Sequence, residues 1–247
     1  MTEALVLRND AEGIATLTLD RPRKLNALTP EMFIELRAHV DAIAVDASVG
    51  CVVLQGAGRS FCAGHDLDAV GGAAAHRVPS VYFEPETVDA LEALPQPTIA
   101  RLHGHCFTGG LELALACDLL VASESAVFGD THGQWGLVPI WGMSVRLPER
   151  VGRSLAKELM FTSRRVSASH AVGIGLIDRC VPDDALDETI AVLAAEILAN
   201  SWGTNRIVKA LVAEASTRTR QGALVFERTV PFGRPEDTAE RRKARGR

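Results

Sequence analysis

The order of apolar and polar residues changes period along the chain, and each change predicts an element. "ALVLRNDAEGIATLTLD" alternates on either side of a polar turn at 9–13, which predicts two short strands. "RPRKLNAL" is basic and proline-marked and reads as a loop. In "TPEMFIELRAHVDAIAVD" the apolar residues recur at helical spacing, with Thr29 at the N-cap, Pro30 at the first helical position and Glu31 in the first turn. "CVVLQG", at 51–56, is an apolar run of strand length. "AGRSFCAGHDLDAV" predicts a glycine-rich loop leading into a short helix, and "GGAAAHRVPS" a mobile loop of small residues. A helix near 88–94, a strand in "PTIARLHG" and a strand in "DLLVAS" follow. "AVFGDTHGQWGLVPIWGMSVRLPERVG" is turn-rich and then helical, "SASHAVGIGL" is a short helix and "IDRCVP" a strand. Strands alternate with helices over 1–183, and helices alone remain over 184–247. The pattern predicts an α/β core followed by a helical region, with no repeat of fixed period.

Composition narrows the class. In 247 residues, 47% are hydrophobic and 23% charged, which fits a soluble chain with a sizeable core. The formal net charge of −5 gives no general attraction to nucleic acid or to an anionic membrane. The basic tail "RRKARGR" reads as a solvated, frayed end rather than a nucleic-acid contact. The five cysteines are widely spaced and show no zinc spacing, so reduced thiols in the cytoplasm are expected. "MTEALVLRND" lacks the features of a signal peptide, and no uncharged apolar stretch reaches the ~20 residues that cross a bilayer.

Several chemistries are excluded by their missing signatures. "GAGRSFCAG" supplies Gly56 and Gly58 of a dinucleotide fingerprint but has Phe61 where the third glycine belongs. There is no phosphate loop and no GxSxG elbow. His65, His103, His105 and His132, with Asp66 and Asp130, have no metal-ligand spacing, so no metal is expected. One stretch stands out. "HGHCFTGGLELALACD" carries a single acid, Glu112, in a segment that is apolar on every side. A helix of that kind is buried, and a buried carboxylate has its pKa raised by desolvation. Such a group is a candidate proton carrier near neutral pH; the competing reading is a structural Glu paired with an arginine. Gly109 and Gly110 add to the first reading. N–H groups at a helix start lack partners and carry the positive end of its dipole, and glycine lets a ligand approach them.

Together these stretches resemble the enoyl-CoA hydratase/isomerase, or crotonase, superfamily. "RPRKLNAL", "GAGRSFCAGHDL", "LPQPTIARLHGHCFTGGLELALACD", "FGDTHGQWGLVPIWGMSVRLPERVG" and "SASHAVGIGLIDRCVP" carry the resemblance in order, over about residues 4–207. It implies a crotonase-like spiral of ββα units with a C-terminal helical trimerisation region, and assembly as a homo-trimer or hexamer. It implies an acyl-CoA thioester as ligand, with coenzyme A as part of the substrate and no separate cofactor. The backbone N–H groups of His65 and Gly109 would form an oxyanion hole. Arg23 would lie near the CoA phosphates, Ala63, Asp66 and Leu67 would line the CoA path, and Glu112 would be the first of two catalytic glutamates. The second glutamate is replaced by His132, which could act as acid or base or be a structural histidine bonded to nearby backbone. Thr108 replaces the first glycine of the usual triple, and the end after Phe232 is short and charged. The expectation is an enoyl-CoA hydratase-like enzyme working through an oxyanion-stabilised enolate. An isomerase, a related CoA lyase and a non-catalytic acyl-CoA-binding protein are the alternatives.

Overall fold

Glu12 and Gly13 take positive φ, 52° and 83°, and close a two-residue turn between β1 (Val6–Ala11) and β2 (Ile14–Leu19). The strands therefore run through Asn9 and Asp10, which the sequence pattern assigns to a turn. β1 ends the sheet and leaves most of its residues exposed, so polar side chains are tolerated there. The computed structural model describes residues 4–68 and 78–246. Most of the small-residue loop and the end of the stretch expected to lead into a helix fall outside the described residues.

In chain order the remaining strands are β3 (Cys51–Gly56), β4 (Thr98–Leu102), β5 (His105–Phe107), β6 (Leu119–Ser123), β7 (Val127–Gly129), β8 (Val166–Ser167) and β9 (Arg179–Val181). Six strands form one sheet in the order β1-β2-β3-β4-β6-β9, parallel except for β1. β5, β7 and β8 form a second, smaller sheet. The chain gives one strand to the large sheet and the next to the small one, as in β4 then β5 and β6 then β7. Single bridges between Leu28 and His65 and between Cys62 and Cys106 extend this second layer to the loops after β2 and β3. Helices complete the turns of this ββα spiral.

The helices are α1 (Pro30–Ala44), α2 (Phe83–Glu92), α3 (Gly109–Leu115), α4 (Met143–Val151), α5 (Arg153–Thr162), α6 (Ala168–Gly173), α7 (Leu186–Ala199), α8 (Trp202–Ser216), α9 (Arg220–Arg228) and α10 (Thr238–Ala244). Thr29 caps α1 by accepting the Met32 N–H, as its position predicts. α2 starts five residues before the helix expected at 88–94. Pro85 sits in its first turn, where a missing N–H breaks no helical bond. Most of the core lies between the large sheet and α1–α6. α7 seals the other face, where Leu186, Ile190, Leu193 and Ala194 pack on Cys51, Val53, Ile99 and Val121. α8, α9 and α10 contain no buried residue.

Candidate active site

A buried amide joins two loops and sets the first wall of the site. Asn26 donates from Nδ2 to the carbonyls of Ala57, Ser60 and Phe61, and its Oδ1 accepts the Arg21 N–H. A side chain at Gly56 would collide with this seam, its Cβ lying 2.2 Å from the Phe61 carbonyl oxygen. The seam aligns "RPRKLNAL" with the glycine loop. Ala63 N–H then donates to Leu25 O, Leu28 N–H to Gly64 O and Asp66 N–H to Leu28 O. Residues pinned in this way alternate in direction, and His65 N–H has no protein acceptor among the described residues.

α3 supplies the second wall. Its seven residues are all buried, as the all-round apolar pattern of "GGLELAL" predicts. Gly109 opens it, so the Gly109 N–H has no partner within the helix and none elsewhere among the described residues. Thr108, just before, has φ +50°, a backbone that favours glycine. Its hydroxyl is 2.6 Å from that of Thr131, and its N–H donates to Gly129 O. Those bonds hold a residue type that is otherwise strained there, by about 1–3 kcal/mol. Trp141 closes on Gly109 so tightly that a Cβ there would lie 2.3 Å from its ring.

Glu112 lies one turn into α3 and is 1% exposed. Its partner is not an arginine. Oε1 accepts the N–H groups of Trp141 and Met143, both at 3.1 Å, and Oε2 lies 3.9 Å from His132 Nε2. Burial pushes the carboxyl up to about 7, against the pull of His132 and the two N–H donors. The folded carboxyl thus keeps its proton to higher pH than in the unfolded chain, where 4.5 is the reference. The stability this gives is complete below the unfolded value and is lost as pH rises through the folded one. The difference is on the order of 3 kcal/mol. Glu112→Gln is therefore expected to melt above wild type at pH 8, with the gap closing toward pH 5. Thermal unfolding at the two pH values checks this; a gap that widens toward pH 5 would contradict it.

His132 begins a 3-10 turn after β7. Its side chain is not bonded to neighbouring backbone. Nδ1 donates to Asp130 Oδ1 at 2.5 Å, which leaves Nε2 directed at Glu112. Asp130 is 3% exposed. Burial works against the imidazolium, but Asp130 and Glu112 outweigh it and hold the ring's pKa above its ordinary value. Asp130 is a site residue that the sequence reading grouped only with possible metal ligands. The i, i+2 spacing Asp-x-His was its one signal.

The walls enclose a cavity of about 550 Å³. Glu112, His132, His65, Gly109, Ala63, Asp66 and Leu67 all line it, so seven of the eight residues singled out in the sequence come together. Arg23 does not. It is exposed on the turn Pro22–Lys24, and Lys24 reaches the cavity instead. Asp66 is committed to Arg21, whose guanidinium lies 3.0 Å from its carboxylate. Burial raises the Asp66 carboxyl, but the Arg21 and backbone bonds leave it below its ordinary value. Glu84, from α2, also faces the cavity and had no signal in the sequence. The other histidines are dispersed: His103 Nε2 bonds to Gly58 O, and His105 Nδ1 to the Ser60 hydroxyl. Among the described residues no group of three or more His, Cys, Asp or Glu is placed to hold a metal, and no helix is long and apolar enough to cross a membrane.

A two-layered ββα spiral, with a buried acid in a glycine-started helix at one cavity, is the crotonase fold. The chain belongs to the enoyl-CoA hydratase/isomerase family, whose model matches residues 9–247. A Bacillus subtilis relative named as a candidate enoyl-CoA hydratase/isomerase is 37% identical, over 94% of this chain and 92% of its own. The crotonyl-CoA hydratase of Syntrophomonas wolfei is 32% identical, over 91% of this chain and 87% of its own. The crystal structure of a Bacillus anthracis enoyl-CoA hydratase superposes with a TM-score of 0.91 at 32% identity, covering 98% of this chain and 95% of that one.

Proposed function

We propose that this chain is an enoyl-CoA hydratase. The observation that carries the reading is the juxtaposition at one cavity of two backbone N–H groups without protein acceptors and a buried carboxyl poised near neutrality. Both N–H groups would donate to the carbonyl oxygen of an acyl-CoA thioester and stabilise the negative charge that develops there as an enolate. Lys24 at the cavity wall would meet the anionic part of CoA in place of Arg23. The 3.9 Å between Glu112 Oε2 and His132 Nε2 is too long for a hydrogen bond and suits one water oxygen held by both, at about 2.8 Å from each. Glu112, ionised, takes a proton from that water as its oxygen attacks C3. His132, protonated and oriented by Asp130, returns a proton at C2. The product is a 3-hydroxyacyl-CoA, and the pair ends with the one proton it began with. The step needs no cofactor apart from the CoA of the substrate.

Crotonyl-CoA is the test substrate. Its enoyl absorbance is expected to fall with enzyme, with 3-hydroxybutyryl-CoA as product. Conversion of a 3-enoyl to a 2-enoyl thioester without hydration would replace this reading by an isomerase, and binding without turnover by an acyl-CoA-binding protein. The pair also predicts a pH profile. Activity needs one shared proton, so kcat/KM is expected to fall on the acid side as Glu112 is protonated and on the alkaline side as His132 loses its proton, with apparent values that belong to the pair. His132→Gln should lower kcat by about a hundredfold or more and remove the alkaline limb; an unchanged profile would reduce His132 to scaffolding. The trimer or hexamer belongs to the same proposal. α8–α10 contain no fully buried residue, Val208, Val212 and Val225 on them and Phe232 between α9 and α10 are exposed, and light scattering reads the assembly.

A further inference from the structure

The cavity holds a second imidazole–carboxylate pair that the proposed reaction leaves unused. His65 offers its backbone N–H to the carbonyl site, but its ring takes no part there. Nε2 of that ring lies 3.8 Å from Glu84 Oε1, beyond hydrogen-bond length. The atom is buried and has no hydrogen-bond partner among the described residues. Glu84 stands in the first turn of α2 with its side chain 14% exposed, and His65 is its one ion-pair neighbour among the described residues. Burial holds the Glu84 carboxyl above its ordinary value and the His65 ring below its own, although Asp66 pulls the ring the other way. Both groups are thus biased toward neutral, hydrogen-bonding forms.

Leaving a buried polar atom unpaired costs about 1–3 kcal/mol, and such an atom in a folded protein calls for a partner. The gap identifies one. A single hydroxyl oxygen at about 2.8 Å from each atom fits the 3.8 Å spacing, accepting from the imidazole N–H and donating to the carboxyl. The pair is held in place for this. The His65 ring packs on Trp141 with centroids 4.9 Å apart. Buried Arg146 binds Asp89 and Glu92 of α2 with Nη2, and the Trp141 carbonyl with Nη1. Trp141 touches both pairs, giving its backbone N–H to Glu112 and packing its ring at a tilt on His65. Both pairs line the same cavity, so a thioester whose reacting carbons meet Glu112 and His132 would have another part of its chain within reach of His65 and Glu84.

We propose that His65 and Glu84 form a recognition site for a hydroxyl group carried on the acyl chain, so that the thioesters bound best are hydroxylated acyl-CoAs. This rests on the acyl-CoA reading of the cavity and not on the reaction assigned to it. Calorimetric titration with butyryl-CoA and 4-hydroxybutyryl-CoA, and with hexanoyl-CoA and 6-hydroxyhexanoyl-CoA, reads it directly, since none of these is an enoyl substrate. Wild type is expected to bind the hydroxylated member of at least one pair about fivefold or more tightly than the plain member. Glu84→Met, close in volume, is expected to erase that preference, and Glu84→Gln, which can still accept the hydroxyl proton, to keep most of it. Equal affinities in wild type, or a preference that survives in Glu84→Met, would overturn the proposal and leave the gap to water. Failure of every thioester to bind would overturn the acyl-CoA reading and this site with it. A hydroxyl preference in a protein that does not hydrate crotonyl-CoA would remove only the hydratase reading.

Discussion

Glu112→Gln is expected to lower kcat for crotonyl-CoA hydration by at least about a hundredfold, the usual loss when an acid–base group is removed, while butyryl-CoA still binds within a few-fold of wild type. The substitution separates the two roles the side chain plays. Glutamine keeps an oxygen where Oε1 accepts the N–H groups of Trp141 and Met143, so the loop that closes on α3 keeps its anchor. What is lost is the proton acceptor facing His132. A hundredfold fall corresponds to about 2.7 kcal/mol of transition-state stabilisation. A structural acid, needed only to hold Trp141, predicts a variant with near wild-type turnover. Stopped-assay product formation under saturating crotonyl-CoA decides between them.

Gly109→Ala is the second large effect. The added Cβ would lie 2.3 Å from Trp141 Cζ3, and the ring has little room to retreat because it packs edge-on against Phe33 and tilted against His65. Either the first turn of α3 shifts and carries the Gly109 N–H with it, or the Trp141 ring moves and disturbs His65. Both routes move a donor of the proposed carbonyl site. The expected fall in kcat/KM is about a hundredfold or more, in line with the ~2.7–4 kcal/mol lost when one such donor is removed. Gly173→Ala is the control. No atom lies within 4 Å of a Cβ there and its φ is not positive, so activity and stability should stay near wild type. Equal, small effects from both substitutions would mean that the tight contact at Gly109 serves no catalytic geometry.

What could be read from the sequence follows from how each feature is encoded. α1 and β3 carried strong local signals, a cap with proline and an unbroken apolar run, and both lie where those signals put them. β5 and β7 did not, because three residues are too few to show a period; their strand character comes from pairing with each other. Glu112 was legible because a lone acid in an apolar helix is conspicuous in one dimension. Asp130 and Glu84 were not, since an acid in a polar stretch looks ordinary until the fold places it against an imidazole. Arg23 shows the same limit from the other side. In a run that also contains Arg21 and Lys24, only the turn of the chain determines which cation is exposed, which pairs with Asp66 and which reaches the cavity.

Two main-chain donors meeting one thioester oxygen form the centre of the proposed site, and vibrational spectroscopy tests that contact without requiring turnover. Isotope-edited infrared difference spectra of butyryl-CoA labelled with 13C at the thioester carbonyl should show the C=O stretch moving to lower frequency on binding, as expected for a carbonyl polarised by preorganised donors. Gly109→Ala should return it toward the free value. A bound thioester whose carbonyl band coincides with that of the ligand in water would contradict the account.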